Sequence, residues 1–331
     1  MSGMSPPSAG PGPRAHRSPR GPGAPRRAHA PGRARPARRR PARRRAPRRL
    51  LRGPLGIILA AFLITVLIGL VVLRLSGDQP QSTAAPVFTE PAAVVPDHTG
   101  FEAASIIDDE VFYDSQAMTR AEVDEFILRV NEGCMPGLDG TPCLAQAAFD
   151  IEARAATTFC PGRIEPHRGA SAGRVIWEVA QACDINPQVL LVLIHKEQGL
   201  LTASGASLTA RDYEAAAGYG CPDGAACDTQ WSGFFAQLYG AASQYQRYRL
   251  DPGAYDVQAE VPVRIAYSPE ARCGSAELTV ANQATAALYN YTPYQPNEAA
   301  ASGGDGCTAW GNWNFYGYFR VFFGDPTPSR A

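Results

Sequence analysis

Apolar residues recur at helical spacing in five stretches of the chain and at strand spacing in one. Thr119-Arg120-Ala121-Glu122 is a capping box, and it predicts a helix that turns Val123, Phe126, Ile127 and Val130 to one side. Ser171 precedes a second helix with Val175, Ile176, Val179 and Ala180 inward. Asn186 to Gly199 carries its own start and stop signals: Asn186 suits the cap, Pro187 the first helical position and Gly199 the exit. Trp231 to Tyr248 repeats the pattern with Phe234, Leu238, Ala241, Ala242 and Tyr245, and Asn282 to Tyr291 returns to helix. Between them Val261, Val263, Ile265 and Tyr267 alternate as a strand does, with Leu278 and Val280 as its partner. The pattern predicts a mainly α domain with a small β element, of the α+β class.

Charge divides the chain where hydropathy does not. Residues 1–52 hold 16 Arg and no acidic residue, whereas Asp78 onward holds 14 Lys and Arg against 31 Asp and Glu, a balance of −17. Between these halves Leu55 to Leu73 carries no charge over 19 residues, about the length that crosses a hydrocarbon core of ~30 Å. Arginines on its N-terminal side place that end in the cytoplasm. A cleavable signal peptide has a shorter apolar stretch and a far shorter leader. The expectation is a single-pass plasma-membrane protein. A disordered Arg/Pro-rich cytoplasmic tail (1–54) lies against the anionic inner leaflet, and a signal anchor (55–75) follows it. Outside come a Pro/Ala-containing linker (76–110), one folded domain (111–326) and a short tail (327–331). No nucleic-acid partner is expected.

All eight cysteines (Cys134, Cys143, Cys160, Cys183, Cys221, Cys227, Cys273 and Cys307) follow the apolar segment, which reads as a disulfide framework of an exported domain. Cys134 with Cys143, and Cys221 with Cys227, are close enough for local bridges, while spacing leaves the other four unassigned. There is no C-x2-C pair, and only His98, His167 and His195 lie in this part, so neither metal nor cofactor is expected.

The candidate chemistry centres on Glu197. It follows Leu190 by seven residues, Leu193 by four and Ile194 by three, so it shares their face on the helix. A carboxylate pressed against apolar side chains loses hydration, which favours its protonated form. A protonated carboxylic acid near neutral pH is what protonates a leaving sugar oxygen. The glycine-rich loop Gly218 to Asp228 and the stretch Ala286 to Asn297 crowd Tyr, Asn and Gln near helix ends, which suits a polysaccharide groove. The stretch Trp310 to Tyr318 adds further aromatic and amide groups, although Phe315, Phe319 and Phe322 read as core. A hydrolase also needs a second carboxylate, and Asp228, held by the bridged loop, is the choice among Asp212, Glu214, Asp223 and Asp228.

The order Glu-x-Gly at a helix end, then Gly-x-x-x-Gln, then Tyr-Asn in a helix resembles the lysozyme-like superfamily, especially lytic transglycosylases. The resemblance implies a lysozyme-like domain acting on peptidoglycan or another wall glycan, with Glu197 as catalytic acid and then base. It implies that Gly233, Gln237, Tyr289 and Asn290 line the cleft, and Tyr219, Tyr294 and Gln295 join them as substrate-binding candidates. Two departures stand out: Gln198 follows the glutamate where that family has Ser, and Ala236 is an extra residue before the glutamine. The segment from about Asp114 to Gly324 also resembles exported actinobacterial domains that share the Lys196-to-Leu200 string. A non-catalytic glycan- or protein-binding ectodomain on a degenerate fold of this kind is the alternative. A net acidic exterior would not be drawn to an anionic wall, but a membrane tether supplies a high local concentration instead.

Overall fold

The computed structural model describes residues 61–68, 90–222 and 226–330. The chain falls into two units, Met1–Ser82 and Thr83–Ala331. In the first, residues 61–68 are helical, while the expected tail and most of the 55–75 segment lie outside the described residues. No helix among the described residues is long and apolar enough to cross a membrane.

The second unit is α+β. Its helices are α1 (Asp109–Phe112), α2 (Arg120–Val130), α3 (Ala172–Cys183), α4 (Pro187–Gln198), α5 (Ala210–Glu214), α6 (Phe234–Leu250), α7 (Gln283–Tyr291) and α8 (Gly311–Phe323). Two separate antiparallel hairpins complete it: β1 (Ala148–Ile151) with β2 (His167–Ser171), and β3 (Pro262–Ala266) with β4 (Ser275–Thr279). The alternating stretch pairs as its pattern predicts, with Val263 opposite Leu278. The hairpin of β1 and β2 has no such alternation in sequence and is new.

Local signals explain the helix ends. Thr119 and Glu122 form both halves of the capping box that opens α2. Ser171 accepts from the Arg174 N–H at 3.1 Å and opens α3. Asn186 accepts from the Gln188 N–H at 2.8 Å, and Gly199 closes α4 at φ +66°. Every residue from Val189 to Ile194 is fully buried, because α4 runs through the core with α3 and α8 packed on it. That placement brings the last turn of α4, with Glu197, to the edge of the core.

Four expectations change. The helix after Trp231 begins only at Phe234, since Gly233 sits at φ +105° and its N–H bonds the Glu214 carbonyl at 3.1 Å. The stretch Trp310 to Tyr318, expected to add aromatic and amide groups to the groove, is the N-cap and first part of α8, which buries Phe315, Tyr316 and Phe319. The domain also begins well before residue 111. Ile106 and Ile107 are fully buried, the Ile106 N–H donates to Thr285 Oγ1 at 3.0 Å, and Asp97 pairs with Arg320 at 2.9 Å. Nor is the C-terminal tail detached, since Thr327 is buried and Arg330 pairs with Glu102 at 2.8 Å. Composition marked these boundaries poorly because a few anchoring residues sit among Pro and Ala.

Four disulfides hold the unit together: Cys134–Cys143, Cys160–Cys183, Cys221–Cys227 and Cys273–Cys307, with no cysteine left free. The two local bridges match the spacing argument. Cys160–Cys183 ties the segment before β2 to the end of α3, and Cys273–Cys307 ties the β3–β4 turn to the approach to α8.

Candidate active site

Helix α4 delivers Glu197 to the surface with a quarter of its side chain exposed, whereas Lys196 beside it keeps only 7%. The Lys196 ammonium contacts Glu197 Oε1, and its Nζ also donates to Thr292 Oγ1 at 3.1 Å. The carboxylate is therefore not surrounded by apolar groups alone, as its face on the helix implied, but held by a cation.

On its other side Glu197 meets the loop that follows α5. A methyl group placed on Gly218 would stand 2.9 Å from Glu197 Oε2, and Gly218 has φ +68°, so glycine alone fits both demands. Gly218 to Pro222 of this loop, with Gln244 and Tyr248 of α6 and Tyr291 of α7, line an open cleft of about 380 Å³. Tyr219 packs edge-on against Trp231 at 4.9 Å and reaches Gln244 Oε1 at 3.5 Å. Gly240 makes this possible, because a Cβ there would stand 2.3 Å from the Tyr219 ring. Gln244 in turn donates to the Tyr255 hydroxyl at 3.2 Å, and Tyr248 to the Asn290 carbonyl at 3.0 Å. Tyr291 stacks on Tyr245 at 4.8 Å and donates to the Ala217 carbonyl at 2.7 Å.

The hydroxyls of Tyr219, Tyr245, Tyr248 and Tyr291 stay uncharged. Burial pushes Tyr248 up to about 12 with Tyr255 adding to it, and burial likewise raises Tyr219. Tyr245 and Tyr291 are raised well above the ordinary value, by burial first and also by the Glu197 charge nearby. The cleft is thus polar, aromatic and neutral, with one carboxylate against its rim residue Gly218.

The other candidate residues divide by what their side chains already bind. Gln237 is buried at 1% exposure. Its amide donates to the carbonyls of Tyr219 and Trp231, both at 2.8 Å, and its oxygen accepts from the Ala217 and Tyr219 N–H groups. It braces the cleft loop and lines the neighbouring cavity that also holds Asp228, not the cleft of Tyr219. Asn290 clamps the Val257 backbone from both sides, at 2.7 and 3.1 Å. Tyr289 is fully buried and donates to the Ala103 carbonyl at 3.0 Å. Gln295 is buried and ties the carbonyls of Ile265 and Ala276, at 2.9 and 3.1 Å, across the β3–β4 hairpin. Tyr294 is half-buried and bridges Ala266 through the backbone. Gly233 serves as the start of α6.

Asp228 is exposed, and its carboxylate caps the turn Thr229–Trp231 through the Gln230 N–H at 3.0 Å and side chain at 2.6 Å. It lines a separate cavity of about 190 Å³ with Arg211, Glu214 and Ser232, not the cleft of Tyr219. The structure brings Glu197, Tyr219 and the glycine loop together and leaves Asp228, Tyr289, Asn290 and Gln295 elsewhere. Sequence reasoning missed Gln244, Tyr248, Trp231 and Lys196. The one signal for the first two was Gly240, a glycine in the middle of an otherwise well-formed helix.

Compared with known proteins, the chain matches no family model, no curated protein and no solved structure.

Proposed function

We propose that the folded domain cleaves a glycosidic bond in a cell-wall glycan, with Glu197 as general acid and then base. The observation that carries this is a partly exposed carboxylate at the end of a core helix, lying against the glycine loop of a neutral, tyrosine-lined cleft. Sugar rings lie well on such aromatic faces, with amide and hydroxyl groups for their hydroxyls, and neutral tyrosines suit an uncharged polymer backbone. The motif order Glu197, Gly233/Gln237, Tyr289/Asn290 supports a lysozyme-like fold, with Gln237 bracing the cleft loop and Tyr289 and Asn290 bracing the backbone of neighbouring segments. On this reading the domain is exported and held at the plasma membrane by residues 55–75, with the arginine tail inside, so that it works on peptidoglycan within reach of its tether.

Asp228 does not line the cleft, so a lytic transglycosylase, which needs no second carboxylate, fits better than a hydrolase. The second reading is a non-catalytic glycan-binding ectodomain, and the observation favouring it is the Lys196–Glu197 pair, which occupies the carboxylate. Incubating the purified full chain with peptidoglycan at pH 5 to 8 and analysing soluble products by mass spectrometry separates them. Muropeptides with anhydro ends support the transglycosylase, and reducing ends would point to a hydrolase. Retention of the protein on the polymer with no release at any pH would establish the binding module.

A further inference from the structure

Lys196 is the only lysine in the chain; all thirty other Lys or Arg positions are arginine. That single lysine is also among the least exposed charged side chains, at 7%. Neighbouring residues on a helix do not face each other, so the contact from Lys196 to Glu197 requires both side chains to be bent to one side. Three residues at the end of α7 and the start of α8 do the bending. Thr292, just after α7, accepts from Lys196 Nζ, and Asn312 of α8 donates to the Thr292 carbonyl at 2.9 Å, which fixes that residue in turn. Gly311 leaves the room: a Cβ there would sit 2.5 Å from the Thr292 methyl and 3.8 Å from the ammonium. An ammonium suits this site, being a compact charge with three rotatable donors where arginine would bring a longer planar fork. Glu197 and Thr292 take two of those three.

We infer that Lys196 is a positioning residue for Glu197, docked by Thr292 so that it holds the carboxylate at the cleft and stabilises the anion left when the acid gives up its proton. This rests on the glycan-cleaving reading above and adds the group that sets its working pH range. Besides Lys196, the groups near enough to feel the Glu197 charge are the uncharged hydroxyls of Tyr245 on α6 and Tyr291 on α7, and Gly218 of the loop packs against the carboxylate. His195 on the same helix faces Tyr318 and Phe322. Among the described residues Lys196 is therefore the one cation in contact with Glu197.

The lone lysine makes the test clean, because amine chemistry on the full chain modifies only Lys196 and the N-terminus. Reductive methylation with formaldehyde, quantified by peptide mass spectrometry, should be slow in the native protein. It should quicken roughly tenfold or more in Glu197→Gln and in Thr292→Val, each of which removes one partner. With peptidoglycan as substrate, Lys196→Met should lower kcat by roughly tenfold or more at unchanged KM, and the alkaline limb of its pH–rate profile should move to higher pH. Thr292→Val, which keeps the charge and loosens its anchor, should show the same changes in smaller measure. An unchanged methylation rate in both partner variants, or a Lys196→Met protein with native kcat and pH profile, would overturn the assignment while leaving the enzyme standing. A native chain that releases nothing would instead remove the glycan-cleaving reading and this role with it.

Discussion

Gln237 uses both amide protons and its oxygen on the backbone of Ala217, Tyr219 and Trp231, and none of it reaches the cleft surface. Gln237→Leu keeps the size but leaves those buried backbone groups without partners, at a cost of about 3 kcal/mol or more in total. Urea denaturation should show that loss as a lower midpoint at unchanged slope, and a midpoint equal to the native value would mean the loop does not depend on it. The side chain's burial, not its identity, separates scaffold from ligand contact. That bracing was invisible in the Gly233-to-Gln237 spacing, which places the residue next to the cleft loop and says nothing of its backbone partners. Asp228 fails for a related reason: the bridged loop does hold it, but over a neighbouring cavity and as the cap of a turn.

At the scale of elements, α4 and α8 meet through His195, which is 6% exposed between Tyr318 and Phe322. Neither ring nitrogen finds a well-formed hydrogen bond among the described residues. Burial pulls its pKa down to about 4, with a backbone interaction at Gly199 opposing it only in part. The unfolded chain takes up a proton near pH 6.5 and the folded one not until about pH 4. Stability is therefore complete above pH 6.5 and falls as the pH drops from there toward 4, by about 3 kcal/mol in all. Thermal melts from pH 7.5 to 4 should show this loss, and His195→Leu should flatten it; an equally steep acid loss in the variant would place the effect elsewhere. His98, half-buried and stacked on Trp313, is shifted down by desolvation too and adds to the same slope. Elements with strong caps and clean periodicity, namely α2, α3, α4 and α7, were legible because local signals and burial agree there. Helix α8 was not, since its glycines and asparagines mask the spacing of Phe315 and Phe319, and the short β1–β2 hairpin offers almost no apolar alternation. Two of the four bridges followed from spacing, and the other two join segments that only the tertiary fold brings together.

For the molecule as a whole, the fold places one partly exposed carboxylate at the end of its most buried helix, against the rim of a neutral cleft. Segments outside the helical core complete it: residues 97–107 pack into the domain at one end, and Arg330 closes against Glu102 at the other. A 249-residue unit pinned by four disulfides should keep that carboxylate in place when its charge is removed. The most direct measurement compares the native full chain with Glu197→Gln on the same peptidoglycan, scoring bound protein by sedimentation and released muropeptides by mass spectrometry. Glutamine keeps the shape but cannot donate the proton, so binding and melting temperature should match the native protein while release falls at least a hundredfold. Release by Glu197→Gln at the native rate would contradict the account.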